Sequence, residues 1–260
     1  MDVNNVGIHA DGSPTNKTGV EVGVRFPSSP SNLQNKKRFT TIVGSALEVM
    51  IHEILYSRSL YPRDAFSPSR YLGVQCHACR VKGVVDYIYN TLQIAVPAIC
   101  VGAVHQVAMI IYDGDGPKEN VLERFLLQFD LEEEPKPEDS STTNKSISMD
   151  RVGDLERSMR DLLLRIIINM NRGSENDQTF PGTATFKICV HTTPHPSRSH
   201  ELTQALQQGT WDKSDHQHNH DIHAESSLLT RPLKSVHSTK CGLTVQLSMD
   251  LPYSHNRSKS

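Results

Sequence analysis

Val152, Leu155, Met159, Leu162, Leu163, Ile166, Ile167 and Met170 recur every three or four residues through a stretch of charged and polar neighbours. At 3.6 residues per turn they line one side of a single helix, from Ser148 as N-cap to about Met170. A stripe of that length has to be covered by other elements, so this segment belongs to a sizeable core. Gly173 marks its end.

Two more helices are legible upstream. Ile42, Val43, Ala46, Leu47, Met50, Ile54 and Leu55 share the helical period, and Val49 and Ile51 widen the stripe. That first helix is buried on most sides and is expected to end at Tyr61-Pro62. A second runs from about Val81 to Val96 with Val84, Val85, Ile88 and Leu92 on its apolar face, and Pro97 is expected to stop it.

Between the helices the period switches to two. His105–Tyr112 and Val121–Phe129 flank Asp113-Gly114-Asp115-Gly116-Pro117, which predicts a hairpin. Thr183–Thr192 reads as a strand with Phe186, Ile188 and Val190 facing one way, stopped by Pro194 and Pro196. Tyr71–Cys76 reads as a short strand, and Arg231–His237 and Gly242–Leu247 as the last two. Three long helices and a mostly antiparallel sheet make one α+β domain of a size that fits a single core.

The remaining segments have linker composition. Residues 1–36, rich in Gly, Ser, Pro and Asn, read as a disordered leader, and 252–260 as a tail. The domain proper spans 37–251, interrupted by an acidic Pro/Ser/Thr-rich loop over 130–147. Hydrophobic content of 37% agrees with such additions. A net charge of −2 argues against strong direct nucleic-acid binding. Ile94–Tyr112 is too short and too polar for a membrane span. Met1–Asn5 lacks a signal-peptide pattern, so a reducing compartment is expected.

Chemistry is sparse. Cys76-His77-Ala78-Cys79 is half a zinc site, and its other half is missing. His216, His218, His220 and His223 lie far away on a polar stretch. No metal site and no cofactor is therefore expected, and Cys76, Cys100 and Cys189 read as small buried apolar groups. A zinc-dependent enzyme built on these residues is the alternative from another class. Patterns for phosphate loops, nucleophile elbows and dinucleotide binding are absent. His191, at the end of a strand, has no nucleophile or carboxylate near it in sequence, so a structural role is expected. A binding or adaptor protein is the better class. Trp211, the single tryptophan, sits in the polar run Gln207–Ser214, where no apolar face accounts for it.

Several segments together carry a family resemblance. Leu55-Tyr56-Ser57-Arg58-Ser59-Leu60-Tyr61-Pro62, Tyr87-Ile88-Tyr89-Asn90-Thr91-Leu92, Gly182–Thr192, Pro232-Leu233-Lys234 and Val245-Gln246-Leu247 resemble, in order and spacing, HORMA-domain proteins. They are most similar to the small accessory, mitotic-arrest-deficient-like subunits of DNA polymerase zeta. The resemblance covers about 38–250 and implies a HORMA fold with a C-terminal safety belt, here 197–251. The belt is expected to lock a peptide that adds a strand to a sheet edge.

By the same resemblance the client is a proline-containing segment of the polymerase zeta catalytic subunit, with Tyr87 and Trp211 lining its pocket. Leu233 and Gln246 would meet the C-terminal domain of a second translesion polymerase; the family's aromatic two residues beyond Gln246 is Ser248 here. Arg165 is the candidate for a homodimer contact. A non-catalytic translesion-synthesis adaptor in the nucleus, with a cytoplasmic pool, is the function implied. A spindle-checkpoint or meiotic HORMA adaptor with another peptide client is the alternative.

Overall fold

The computed structural model describes residues 30–114, 119–131, 147–172, 180–193, 200–208, 211, 228–238 and 241–252. The leader as far as residue 29, most of the acidic loop, the histidine run and the tail lie outside the described residues.

Helix α1 (Pro30–Ser57) is the first described element. It begins within the stretch read as leader and ends before Tyr61-Pro62. Val43, Ala46, Leu47, Met50, Ile54 and Leu55 are buried, as the broad stripe requires. Lys37–Ser57 is long and apolar enough to cross a membrane by composition alone. Its apolar side chains here pack against α2 (Lys82–Cys100), α3 (Ile147–Arg172) and the hairpin of β1 (Phe66–Tyr71) and β2 (Val74–Cys79).

Strand β1 escapes an apolar pattern because only Phe66 is buried along it. Pairing with β2 makes it a strand, with Pro68 opposite His77 on a two-stranded ribbon where a missing amide is tolerated. Leu72 and Gly73 close the turn, both at positive φ (47° and 76°), the backbone of a type I′ hairpin.

Pro97 does not stop α2. It sits in the last turn, where it costs a single backbone hydrogen bond, and burial of Ala98, Ile99 and Cys100 favours continuing. The helix closes instead at Gly102 (φ 69°). Ala103 N–H donates to the Ala98 carbonyl at 2.8 Å and Gly102 N–H to the Ile99 carbonyl at 2.9 Å, the paired bonds of a Schellman end.

The main sheet runs β5-β3-β4-β7-β6, every described pairing antiparallel. Its strands are β3 (Val104–Asp113), β4 (Asn120–Leu131), β5 (Thr185–Thr192), β6 (Leu228–Ser238) and β7 (Leu243–Pro252). Register brings Ile188, Met109, Phe125 and Met249 into one row across four strands, all buried. The α3 stripe supplies Leu155, Met159, Leu162, Leu163 and Ile166 to the same core. A buried ion pair ties the end of α1 to this sheet face: Arg58 Nε and Nη2 donate to the two Glu123 carboxylate oxygens at 2.6 and 2.7 Å. The Arg58 guanidinium also lies 5.9 Å from the Phe125 ring centroid. The fold is α+β, with helices against one antiparallel sheet.

Candidate functional site: the β5 edge and the segment that crosses the sheet

The sheet order places β5 and β6 at opposite edges, although they are consecutive strands apart from the short helix α4 (His200–Gln207). Four strand spacings of about 4.8 Å separate the two edges by roughly 19 Å. The chain between residues 192 and 228 therefore has to pass from one side of the sheet to the other. Helix α4 lies within that segment and packs against α2, with Leu202 and Ala205 buried. Sequence reading missed α4, whose only apolar signal was Leu202 and Leu206 in a polar stretch. Trp211 follows it in a bend, half-buried.

Among the described strands β5 pairs with β3 alone. Among the described residues no strand pairs with its other side, which makes that side a template for strand addition. In an antiparallel ladder alternate residues turn their N–H and C=O toward the partner and away from it. Ile188 marks the phase, because its N–H donates to the hydroxyl of Tyr87 at 3.0 Å and so points off the sheet. Phe186, Ile188 and Val190 therefore present their amides and carbonyls to the open side. Lys187, Cys189 and His191 face Ile110, Ala108 and Gln106 across the β3 ladder.

Tyr87 reaches this edge from α2. Its ring stands edge-on to Phe186, centroids 5.7 Å apart at 70°, and Tyr61 braces the same phenylalanine at 6.5 Å and 83°. Although Tyr87 is 41% exposed overall, its surroundings raise the phenol pKa above the ordinary value, chiefly through burial, with the Ile188 amide pulling it down. Among the described residues no ring contact joins Tyr87 to Trp211; Phe186 is the aromatic partner of Tyr87. On the opposite sheet face Lys187 pairs with Glu119, and its ammonium lies 4.8 Å from the Tyr112 ring centroid. Burial raises the Cys189 thiol, so it stays a neutral group beside this pair.

The other expected contact residues lie across the sheet. Gln246 is exposed on β7, between Gln128 of β4 and Ser235 of β6. Ser248, half-buried, lies between Leu126 and Pro232. Leu233 is only 5% exposed, its side chain in the core, at the register shift between Pro232 and Lys234. Its carbonyl, freed at that bulge, accepts from Arg165 Nε at 2.8 Å. Arg165 thus holds β6 against α3 within the same chain. Neither contact could be found by sequence pattern, since a bulge leaves no periodic signal.

The zinc reading meets a geometric obstacle. Cys76 and Cys79 stand three residues apart on a strand, so their side chains leave opposite faces of β2, and both are buried. Burial raises the Cys76 thiol, with nearby Glu53 adding to the effect, which disfavours the thiolate that a metal needs. Among the described residues no group of three or more histidine, cysteine or acidic side chains is placed to hold a metal ion.

The HORMA domain model matches residues 40–256. The mitotic spindle assembly checkpoint protein MAD2B of Danio rerio is 29% identical over 197 residues, covering 76% of this chain and 84% of that one. The DNA polymerase zeta processivity subunit of Schizosaccharomyces pombe is 34% identical over 94 residues, 36% of this chain and 43% of that one. Among solved structures, a chain of the Mitotic Checkpoint Complex superposes with a TM-score of 0.58 at 15% identity, covering 82% of this chain and 97% of that one. C. elegans HTP-2 bound to the HIM-3 closure motif superposes with a TM-score of 0.55 at 12% identity, covering 83% and 91%. The chain belongs to the HORMA domain family.

Proposed function

We propose that this chain is a non-catalytic adaptor subunit of DNA polymerase zeta, acting in translesion synthesis in the nucleus. It clamps a proline-containing peptide of the catalytic subunit against β5. The segment 197–251 acts as the safety belt, with Tyr87 and Trp211 as the aromatic contacts. The observation that carries this reading is the open β5 edge, with Tyr87 at its centre and the chain forced to cross the sheet immediately after it. Strand addition supplies affinity through backbone hydrogen bonds, and the side-chain surroundings supply selectivity.

Strand β7, toward the far side of the sheet from β5, offers a second surface. Gln246, exposed between Gln128 and Ser235, is a candidate contact for the C-terminal domain of a second translesion polymerase, with buried Leu233 supporting that strand from beneath. Arg165 would assist homodimerisation by fixing β6 on α3. Two partners held on one adaptor raise each other's effective concentration without any active site of its own. Relatives named as spindle checkpoint proteins favour a second reading, the same clamp with a checkpoint client.

The test is a titration of the full chain with proline-containing peptides from the catalytic subunit. Val190→Pro deletes an amide that faces the open edge and leaves the Lys187, Cys189 and His191 bonds to β3 intact. Affinity is expected to fall by at least roughly tenfold, with stability reduced by no more than about 1.5 kcal/mol. Full affinity in Val190→Pro would mean that the peptide does not pair with β5. Binding of checkpoint-client peptides alone would favour the second reading.

A further inference from the structure

We propose that Ser67 is a phosphorylation site for a proline-directed serine/threonine kinase, with Arg80 beside it to receive the phosphate. The inference stands apart from the strand-addition reading above.

Ser67-Pro68-Ser69-Arg70 is a serine followed at once by proline, with a basic residue three positions on. Kinases of the cyclin-dependent class read this pattern. Their groove offers no partner for the amide after the acceptor, which favours proline there, and an acidic pocket takes the basic side chain. Ser13, Ser29 and Thr193 are also followed by proline, but Asn16, Asn32 and Pro196 stand at the third position. Ser67 alone carries the full pattern.

The fold presents it. The motif lies on β1 in extended backbone, with Ser67 half-buried and Pro68, Ser69 and Arg70 exposed. Among the described strands β1 pairs with β2 alone, so a kinase can lie along its other side without unwinding the ribbon. The Ser69 hydroxyl is engaged with the Cys76 thiol. The Ser67 hydroxyl has no hydrogen-bond partner among the described residues and is free to react.

Arg80 stands ready on the same face. The ladder continues one step past β2, since Arg80 N–H donates to the Ala65 carbonyl at 2.8 Å. With Ser67 opposite Ala78, Ser67 and Arg80 are diagonal neighbours on one side of the ribbon. Their separation, about 7 Å, is within an arginine's reach. Arg80 Nη2 donates to the Asp64 carbonyl, which anchors the guanidinium and leaves its other N–H groups for a phosphate. The exposed charges here are Arg63, Arg70, Arg80 and Lys82 against Asp64 and Asp86. A phosphoserine brings about −1.5 to −2 charges and cancels that basic excess. In the transfer itself the Ser67 oxygen bonds to the γ-phosphorus of ATP, the bond to ADP breaks, and the hydroxyl proton passes to the kinase's base.

The test incubates the folded full chain with a purified cyclin-dependent kinase–cyclin complex and ATP, maps the phosphate by fragment mass, and runs thermal unfolding on each variant. Phosphate is expected at Ser67, absent from Ser67→Ala, and forming roughly tenfold more slowly at Ser67 in Arg70→Gln. By phosphorus NMR the modified Ser67 should lose its second proton at lower pH than phosphoserine in the isolated 63–74 peptide, and Arg80→Gln should shrink that difference. Phosphate confined to Ser13, Ser29 or Thr193 overturns the inference. Reaction at Ser67 only in the denatured chain overturns it too, as does an equal rate in Arg70→Gln. The same titration in wild type and Arg80→Gln overturns the receiving role of Arg80.

Discussion

Arg58→Met is expected to destabilise the protein by about 3–5 kcal/mol. Glu123 lies on the helix-facing side of β4 and is 2% exposed. Both of its oxygens are held by Arg58, at 2.6 and 2.7 Å. Burial opposes its ionisation and raises its pKa; the guanidinium acts in the other direction. Methionine keeps much of the arginine's apolar bulk near Phe125 and Met249 but removes the compensating charge. The carboxylate must then either remain charged in the core or take up a proton, and both states are costly.

The double variant Arg58→Met/Glu123→Leu removes both charges and should recover most of the loss, since an apolar pair of similar volume replaces a buried ion pair at little net cost. The pH dependence has a definite sign. A carboxyl whose folded pKa lies above its unfolded value binds more protons in the native state, so stability falls as pH rises through that interval. Without Arg58 the interval widens upward. The penalty in Arg58→Met should therefore be smaller near pH 5 than at neutral pH. Denaturant unfolding of the three proteins at both pH values measures this. A loss under about 1 kcal/mol, or a double variant no better than the single, contradicts the assigned role of the pair.

The sequence is most legible where one period runs unbroken over a long segment. The α3 stripe, the β3–β4 hairpin and β5 each carry their own pattern, and each forms where that pattern lies. Elements that owe their form to a neighbour do not show themselves. Strand β1 exists because β2 pairs with it, and α4 because α2 offers it a surface. The last turn of α2 is helical beyond Pro97 because Ala98, Ile99 and Cys100 gain burial there.

The candidate site divides in the same way. Alternation along Phe186, Ile188 and Val190 reveals which side chains face the core. It cannot reveal which amides face outward, or that β5 is an edge, because both depend on the order of strands distant in sequence. Trp211 stands out in the sequence as the single tryptophan on a polar run, whereas its contact role and that of Tyr87 come from family resemblance; the bond from Ile188 to Tyr87 spans 101 residues and has no local signature. The same is true of Arg165, whose partner carbonyl becomes available at the bulge in β6.

Trp211 carries the largest expected effect on binding. It sits half-buried in a bend beyond α4, on the segment that must cross the sheet. If that segment closes over a peptide on β5, the indole is the largest rigid surface it brings. Removing such an anchor typically costs 2 kcal/mol or more of binding energy. The most direct measurement is calorimetric titration of the full chain and of Trp211→Ala with proline-containing peptides of the polymerase zeta catalytic subunit, with thermal unfolding run beside it. A clamp predicts a loss of about 2 kcal/mol or more, roughly thirtyfold in Kd, in a variant that still folds. Unchanged affinity in a folded Trp211→Ala protein would contradict the clamp.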